Sequence, residues 1–393
     1  MLSLEELNRE NIEGKQENPE SDEQEILASF DFLTEILSRL PVKSLLRFKS
    51  VSKSWFSLIC SPEFIKSHLS LSAKNNNTDY TNYRVMLRIA QPEFNLKDCS
   101  LKSLLHDESV IEESDLDYPM KDSSISFLIE GSVNGLICLV RGAEELVLWN
   151  PSIKTYKKLP VLRSKMRDSY RSTYGFGYDE IHDDYKVVCI ISRLHDFKEV
   201  NMYSLKNNSW QKIDCPRNGA RLINSGEFVN GRLHWAATAD LGLERGWSIT
   251  SFDLANEKWR KVERPCYREE RDGVLVLGAL GSNVSMICNN STIQVDVWIM
   301  NEYGVKESWT KMFTINYTIR TLVDYLFSQF FCLSKRGEFL LRLESVFLIC
   351  NPKDNSIRFP EYAEFSDGLL AEIYIESLVC PLSQNEPRTQ QLR

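Results

Sequence analysis

The 393-residue chain contains no apolar run approaching the roughly 18 residues that carry a helix across a bilayer. It opens on acidic and polar residues, not on a cationic stretch followed by an apolar one, so a secretory leader is not expected. Glycine (17) and proline (13) together stay under a tenth of the chain, which argues against collagen-like and largely disordered classes. Ten cysteines lie at 60, 99, 138, 189, 215, 266, 288, 332, 350 and 380, but no two form a C-x-x-C pair. Most sit in apolar runs such as Ile137-Cys138-Leu139, Val188-Cys189-Ile190 and Phe331-Cys332-Leu333, where a thiol behaves as a small buried hydrophobe. The chain therefore reads as reduced, intracellular and soluble.

Catalytic vocabulary is also scarce. The five histidines (68, 106, 182, 195, 234) are scattered, and no H-E-x-x-H, G-x-S-x-G or P-loop occurs. His182 among Asp179, Glu180, Asp183 and Asp184 comes nearest to a metal cluster, yet its place between two strand patterns reads as a solvated turn. Gly175-Phe176-Gly177-Tyr178 lacks a third glycine and a following helix, so it reads as strand. The expectation is a non-catalytic chain without metal or cofactor.

Net charge is −8 and unevenly spread. Residues 1–25 carry nine acids against Arg9 and Lys15, and read as a disordered acidic tail. Residues 26–72 carry +3, leaving −4 on 73–393, so bulk charge makes no case for a nucleic-acid binder. The length suits one small module and one large one.

Residues 26–72 read as the small module. Leu33, Ile36, Leu37 and Leu40 follow i, i+3, i+4, i+7, one face of a helix. Pro41 interrupts, and further helical stretches carry Leu45, Leu46 and Val51, then Trp55, Phe56 and Ile59. Ser61-Pro62-Glu63 is a helix start: an N-cap serine, proline at the first position, an acid in the first turn. Three or four helices in so few residues have more apolar surface than they can bury alone, and a partner covering part of it is a physical expectation. Residues 73–82, polar and Asn-rich, read as a linker.

Beyond the linker, over 83–382, the helical period gives way to a repeat. A strand runs into a polar turn, then into a short strand with a large apolar residue. The clearest copies are 202–213 (MYSLKNNSWQKI) and 251–262 (SFDLANEKWRKV). With Leu101, Tyr156, Trp210, Trp259, Trp309 and Ile357 taken as equivalent, the steps are 55, 54, 49, 50 and 48 residues. A period near 50 holding four short strands is the spacing of a kelch-like β-propeller, and six copies predict six blades. Leu369–Val379 would return as a closing strand, and 383–393 would be a disordered tail. The alternative is a two-sheet sandwich with recurring aromatics.

The segment from Phe32 to Trp55 (FLTEILSRLPVKSLLRFKSVSKSW), continued by Leu58–Leu69, strongly resembles the F-box of plant F-box proteins. That family usually opens with Leu-Pro, where this chain has Ala28-Ser29. Residues 134–138 (NGLIC), 148–151 (LWNP), 175–179 (GFGYD), 184–188 (DYKVV) and 229–235 (VNGRLHW) resemble the F-box-associated (type 1) domain of the same F-box/kelch-like family, although the double glycine of true kelch repeats is absent. The resemblance implies an all-α F-box bundle followed by an all-β substrate-binding domain. Its role would be substrate recognition in a Skp–cullin–F-box ubiquitin ligase. Carried over by position, the surface facing a Skp-type adaptor would comprise Leu33, Ile36, Leu37, Leu40, Pro41, Val42, Leu45, Leu46, Val51 and Trp55. A cullin scaffold would join through the adaptor. For Leu37 and Leu46 a place in the module's own core is an equal reading.

A protein target would then meet the loops on one propeller face, over 160–173, 192–199, 214–225, 237–247, 263–272 and 314–324. Arg and Tyr are typical anchors. The candidates are Arg163, Arg167, Tyr170 and Arg171, with Tyr267 and Arg268, and they would suit an acidic or phosphorylated protein. Neither nucleic acid nor membrane is expected as a partner. Two other readings stay open: an F-box scaffold acting outside a ligase, and a propeller enzyme such as a glycan-active hydrolase.

Overall fold

The computed structural model describes residues 31–75, 80–89, 95–106, 113–119, 121, 127–142, 145–162, 171–193, 196–216, 221–238, 247–265, 275–291, 294–316, 327–333, 336–343, 346–354, 356–360 and 370–382. The stretches 1–25 and 383–393, read as tails, lie outside the described residues. The chain divides into two compact units, Met1–Leu71 and Ser72–Arg393.

The first unit is helical: α1 (31–38), α2 (Val42–Phe48), α3 (Lys53–Ile59) and α4 (Pro62–Asn75). Residues 73–75, read as the start of a linker, belong instead to the last turn of α4, where Lys74 complements the negative helix end.

The second unit is built of antiparallel meanders. β1 (Tyr83–Ile89), β2 (Asn95–Ser100) and the two-residue β3 (Ser114–Asp115) form a sheet whose fourth strand is the distant β24 (Leu370–Ile375). A second sheet holds β4 (Phe127–Val133), β5 (Leu136–Arg141), β6 (Glu145–Asn150) and β7 (Thr155–Lys158). An eight-stranded sheet follows, made of two such meanders. The first is β8 (Arg171–Asp179), β9 (Asp184–Arg193), β10 (Asp196–Ser204) and β11 (Ser209–Ile213); the second is β12 (Arg221–Val229), β13 (Arg232–Thr238), β14 (Trp247–Asp253) and β15 (Lys258–Val262). A single parallel bridge, Gly175 to Gly226, joins them. Two more four-stranded sheets complete the unit: β16 (Leu275–Leu280) to β19 (Trp309–Asn316) through β17 (Asn283–Ser291) and β18 (Gln294–Met300), and β20 (Phe327–Leu333) to β23 (Ser356–Arg358) through β21 (Phe339–Leu343) and β22 (Val346–Asn351).

Burial explains how these sheets assemble. Strands such as β5 and β13 are buried almost throughout, as strands covered on both faces must be. The apolar clusters lie between successive meanders. Met86, Leu96 and Tyr374 pack on Phe127, Ile137 and Trp149. Val188, Val200 and Met202 pack on Leu233, Trp235 and Phe252; Ala236 and Ile249 pack on Met286 and Trp309. Val297 and Phe313 meet Phe339 and Leu348, and Leu340 and Phe347 return to Val85 and Leu87 of the first sheet. The arrangement is propeller-like. Its inner edge is crowded, because a Cβ on Gly226 would stand 2.5 Å from the Trp235 ring and one on Gly175 would stand 2.7 Å from it.

The recurrence seen in the sequence has a physical cause. Tyr156, Trp210, Trp259, Trp309 and Ile357 all fall on the last strand of their meander. Three of these indoles reach back to the chain leaving the preceding meander: Trp210 Nε1 donates to Pro160 O (2.7 Å), Trp259 to Asp214 O (2.6 Å) and Trp309 to Glu263 O (2.8 Å). Leu101 does not belong to the series. It starts the short helix α5 (Leu101–His106), and β3 supplies the corresponding edge.

Closure is made by the C-terminal segment. β24 pairs with β1 from Tyr83–Ile375 to Arg88–Leu370. Beyond it, Asn150 Nδ2 donates to the carbonyls of Ser377 (3.0 Å) and Val379 (2.8 Å), tying the chain end to β6.

The indole bonds set an expectation for stability. Trp259→Phe and Trp309→Phe should each lower the unfolding free energy by about 1 kcal/mol, the net value of one such hydrogen bond, in urea titration of the chain. Unchanged midpoints would show that the aromatic ring alone holds the meanders together.

Candidate functional site

In the helical unit the apolar arc of α1 is wider than the stripe it can bury. At 100° per residue, Phe32, Ile36, Leu33 and Leu37 follow one another over about 140° of the helix surface. Exposure falls along that arc from Phe32 (67%) and Ile36 (44%), through half-buried Leu33, to buried Leu37, and half-buried Leu40 follows just past the helix end. Pro41 precedes α2, whose Val42 and Leu45 are buried. Ser52 caps α3, its Oγ accepting from Trp55 N (3.1 Å), and Trp55 stands edge-on to Phe48 with ring centroids 5.5 Å apart. Ile59 faces inward, while Val51 (59%) and Phe56 (40%) face solvent. Ser61 caps α4, accepting from Phe64 N at 3.2 Å.

One polar contact holds the unit's bend. His68 is buried on α4 and donates from Nε2 to Leu40 O (2.9 Å) where α1 gives way to Pro41. Its Nδ1 is buried without a partner, so protonation would trap an unsatisfied charge. Burial accordingly lowers its pKa, against the raising effect of the Leu40 carbonyl.

The ten residues expected on the adaptor side thus separate. Ile36, Pro41 and Val51 are exposed, and Leu33, Leu40, Leu46 and Trp55 are half-buried. Val42 and Leu45 are interior, a correction: they fill the core under the surface and offer no area of their own; Leu37 is interior too, the core place that was an equal reading for it. Phe32 and Phe56 were passed over by the sequence reading, although the i, i+4 relation of Phe32 to Ile36 would have placed both on one edge of α1.

In the β unit, Arg163, Arg167, Tyr170, Tyr267 and Arg268 lie outside the described residues. Arg171 is exposed at the start of β8. Parts of the segments read as loops are strand: 171–173, 192–193, 196–199, 221–225, 237–238, 247 and 314–316. His182 belongs to the turn after β8, with Nδ1 2.7 Å from Asp179 Oδ2. Among the described residues no group of three or more His, Cys, Asp or Glu is placed to hold a metal ion.

Charged groups also line the inner strands. Glu130 of β4 accepts from Ser225 Oγ of β12 at 2.6 Å, and Arg88 of β1 donates to Phe127 O at 2.7 Å. Burial, together with the charge of Glu372, pushes the Glu227 carboxyl up to about 8. Burial likewise brings Arg342 down to about 10, although Glu372 works against it. His234, buried between Tyr303 OH (2.9 Å) and Glu227 O (3.3 Å), falls to about 4. These groups were not singled out in the sequence, because no local pattern there tells an inner-strand acid from a solvated one.

The chain thus combines a small helical module that exposes apolar side chains with a propeller-like β unit. Residues 29–67 match the family model of the F-box domain, and residues 84–378 match that of the F-box associated beta propeller domain. An F-box/kelch-repeat protein of Arabidopsis thaliana is 31% identical over 89% of this chain and 95% of its own length. The F-box protein CPR1 of Arabidopsis thaliana is 32% identical over 72% of each chain. The chain belongs to the F-box proteins that carry an F-box associated β-propeller domain.

Two pH responses follow from the buried groups. His68 has a lowered folded pKa, so its contribution is complete above the unfolded value of 6.5 and is lost as pH falls below it. Unfolding of the helical unit, followed by hydrogen exchange of α4 amides, should become easier from pH 7 towards about 5, and His68→Phe should flatten that slope. Glu227 behaves oppositely. Its raised pKa gives stability that is present below the unfolded value of 4.5 and lost as pH rises through about 8. Glu227→Gln should therefore stabilise the β unit at pH 8 and above relative to the wild type, read by thermal melting.

Proposed function

We propose that the chain is the substrate-recognition subunit of a Skp–cullin–F-box ubiquitin ligase. The helical unit docks a Skp-type adaptor, the adaptor joins it to a cullin scaffold, and the β unit holds a protein target for ubiquitination. The observation that carries this reading is the uncovered apolar surface of the helical unit: Phe32, Ile36, Val51 and Phe56 are 67, 44, 59 and 40% exposed. A module so small leaves such residues in water only at a cost that a partner relieves. Half-buried Leu33, Leu40, Leu46 and Trp55 continue the surface, and Pro41 marks the helix junction within it. An amphipathic helix with a few central anchors suits docking into a groove.

The β unit is read as a six-bladed, kelch-like propeller of the type 1 F-box-associated class. The separate four-stranded sheets and the two meanders of the eight-stranded sheet support that count. In this role the chain performs no chemistry. It raises the effective concentration of target beside a charged conjugating enzyme, inside the cell in cytoplasm or nucleus.

The test is co-purification of the full chain with a Skp-type adaptor. Ile36→Asp combined with Val51→Asp should reduce retention of the adaptor by at least about tenfold while circular dichroism is unchanged, because both are exposed apolar positions of the helical unit. No binding by the wild type, or undiminished binding by the double variant, contradicts the proposal. Ala28-Ser29 in place of the family's usual Leu-Pro favours the scaffold reading as the alternative. That alternative predicts adaptor binding without cullin recruitment.

A further inference from the structure

The turn between α2 and α3 places serines and bases around an exposed apolar side chain. Residues 50–54 (Ser-Val-Ser-Lys-Ser) are all exposed, and Val51 among them is 59% exposed. Arg47, at the end of α2, is exposed as well, and Lys49 is half-buried. Among the described residues, no ion pair engages Arg47, Lys49 or Lys53, whereas Arg39 pairs with Glu35 (2.8 Å).

The serines of this turn are not equivalent. Ser52 Oγ caps α3 by accepting from Trp55 N (3.1 Å) and lies 2.9 Å from Ser54 Oγ. Ser50 Oγ makes one local hydrogen bond, donating to Arg47 O (2.7 Å), the carbonyl that Ser50 N also reaches (3.2 Å). Among the described residues of this unit the exposed serines are Ser50, Ser52, Ser54, Ser57, Ser67 and Ser70, and only Ser50 has an arginine three residues before it. Lys49 directly precedes it and Val51 follows. Bases upstream and an apolar residue next in line are the pattern by which an arginine-directed protein kinase chooses its serine. The segment also lies at a helix end, where local opening costs least.

We infer that Ser50 is a phosphorylation site that switches off adaptor docking around Val51, an inference that rests on the adaptor role proposed above. An arginine-directed kinase supplies the phosphoryl group from ATP. The bond between the γ-phosphorus and the ADP oxygen breaks, the Oγ–P bond forms, and the hydroxyl proton passes to the base of the kinase. The ester oxygen then has no proton to give Arg47 O, so a donor at the end of α2 becomes an acceptor facing a carbonyl. The phosphate brings a charge of about −2 to a helix C-terminus, where the dipole opposes it. Val51 is the next residue, its Cα about 3.8 Å away. An apolar partner that covers Val51 would have to strip water from the phosphate as well.

The test treats the full chain with ATP and purified cyclic-AMP-dependent protein kinase, an arginine-directed enzyme, and maps the product by mass spectrometry. Phosphate should appear on Ser50, and Arg47→Ala should cut that labelling about tenfold. Retention of a purified Skp-type adaptor by the phosphorylated chain should fall at least about tenfold, with the helical signal in circular dichroism kept. Phosphatase treatment should restore retention, and Ser50→Ala exposed to kinase and ATP should hold the adaptor at the untreated level. No phosphate on Ser50, or undiminished retention by the Ser50-phosphorylated chain, overturns the inference and leaves the adaptor role standing. An equal fall in Ser50→Ala also overturns it, because the effect then belongs to another residue. An untreated chain that binds no adaptor contradicts the adaptor role itself, and the switch falls with it.

Discussion

The β unit depends on one repeated contact: an indole N–H on the last strand of a meander, donated to the carbonyl by which the chain leaves the meander before. Trp210, Trp259 and Trp309 make it at 2.6 to 2.8 Å. Each bond fixes the stagger of two successive sheets at their outer margin, while glycines 175 and 226 let them crowd together against Trp235 at the inner one. Between those two margins the apolar clusters fall into place, and a buried Lys186 bridging Asp179 (2.8 Å) and Leu254 O (2.8 Å) links the two halves of the large sheet. The repeat length is the distance in sequence between one such indole and the next.

The helical unit obeys the opposite logic. Its elements are short, its caps are local, and its interior is little more than Leu37, Val42, Leu45, Ile59 and Phe64 around His68. With so small a core, the arc of α1 cannot all be covered. What is left outside, from Phe32 and Ile36 to Val51 and Phe56, is the surface that the proposed adaptor would cover. Core and exposed edge are two ends of one apolar gradient around a helix. The residues that shape the surface and those that form it are therefore neighbours in sequence.

That gradient marks how far the sequence could be read. Helical spacing identified the arc but not which edge faces inward, so Leu37 stood open between core and surface, Val42 and Leu45 were grouped with the surface, and Phe32 was omitted. Exposure is settled by what α4 packs against, a tertiary fact with no local signature. In the β unit the period of about 50 residues was legible because the tryptophans sit at equivalent strand positions. Leu101 broke the series because the first sheet takes its fourth strand from the chain end, and no periodic count across the repeats predicts a helix there. The contact of β8 with β12 was not legible, since it is a parallel bridge between Gly175 and Gly226, 51 residues apart in sequence. The inner-strand acids were invisible for the same reason.

The central claim is that the helical unit's uncovered edge is an adaptor surface. Hydrogen exchange of the full chain, with and without a purified Skp-type adaptor, tests it most directly. The account predicts slowed exchange confined to amides of 31–60, with the β unit over 84–378 unaltered. Protection within the β unit, or none in the helical one, would contradict it.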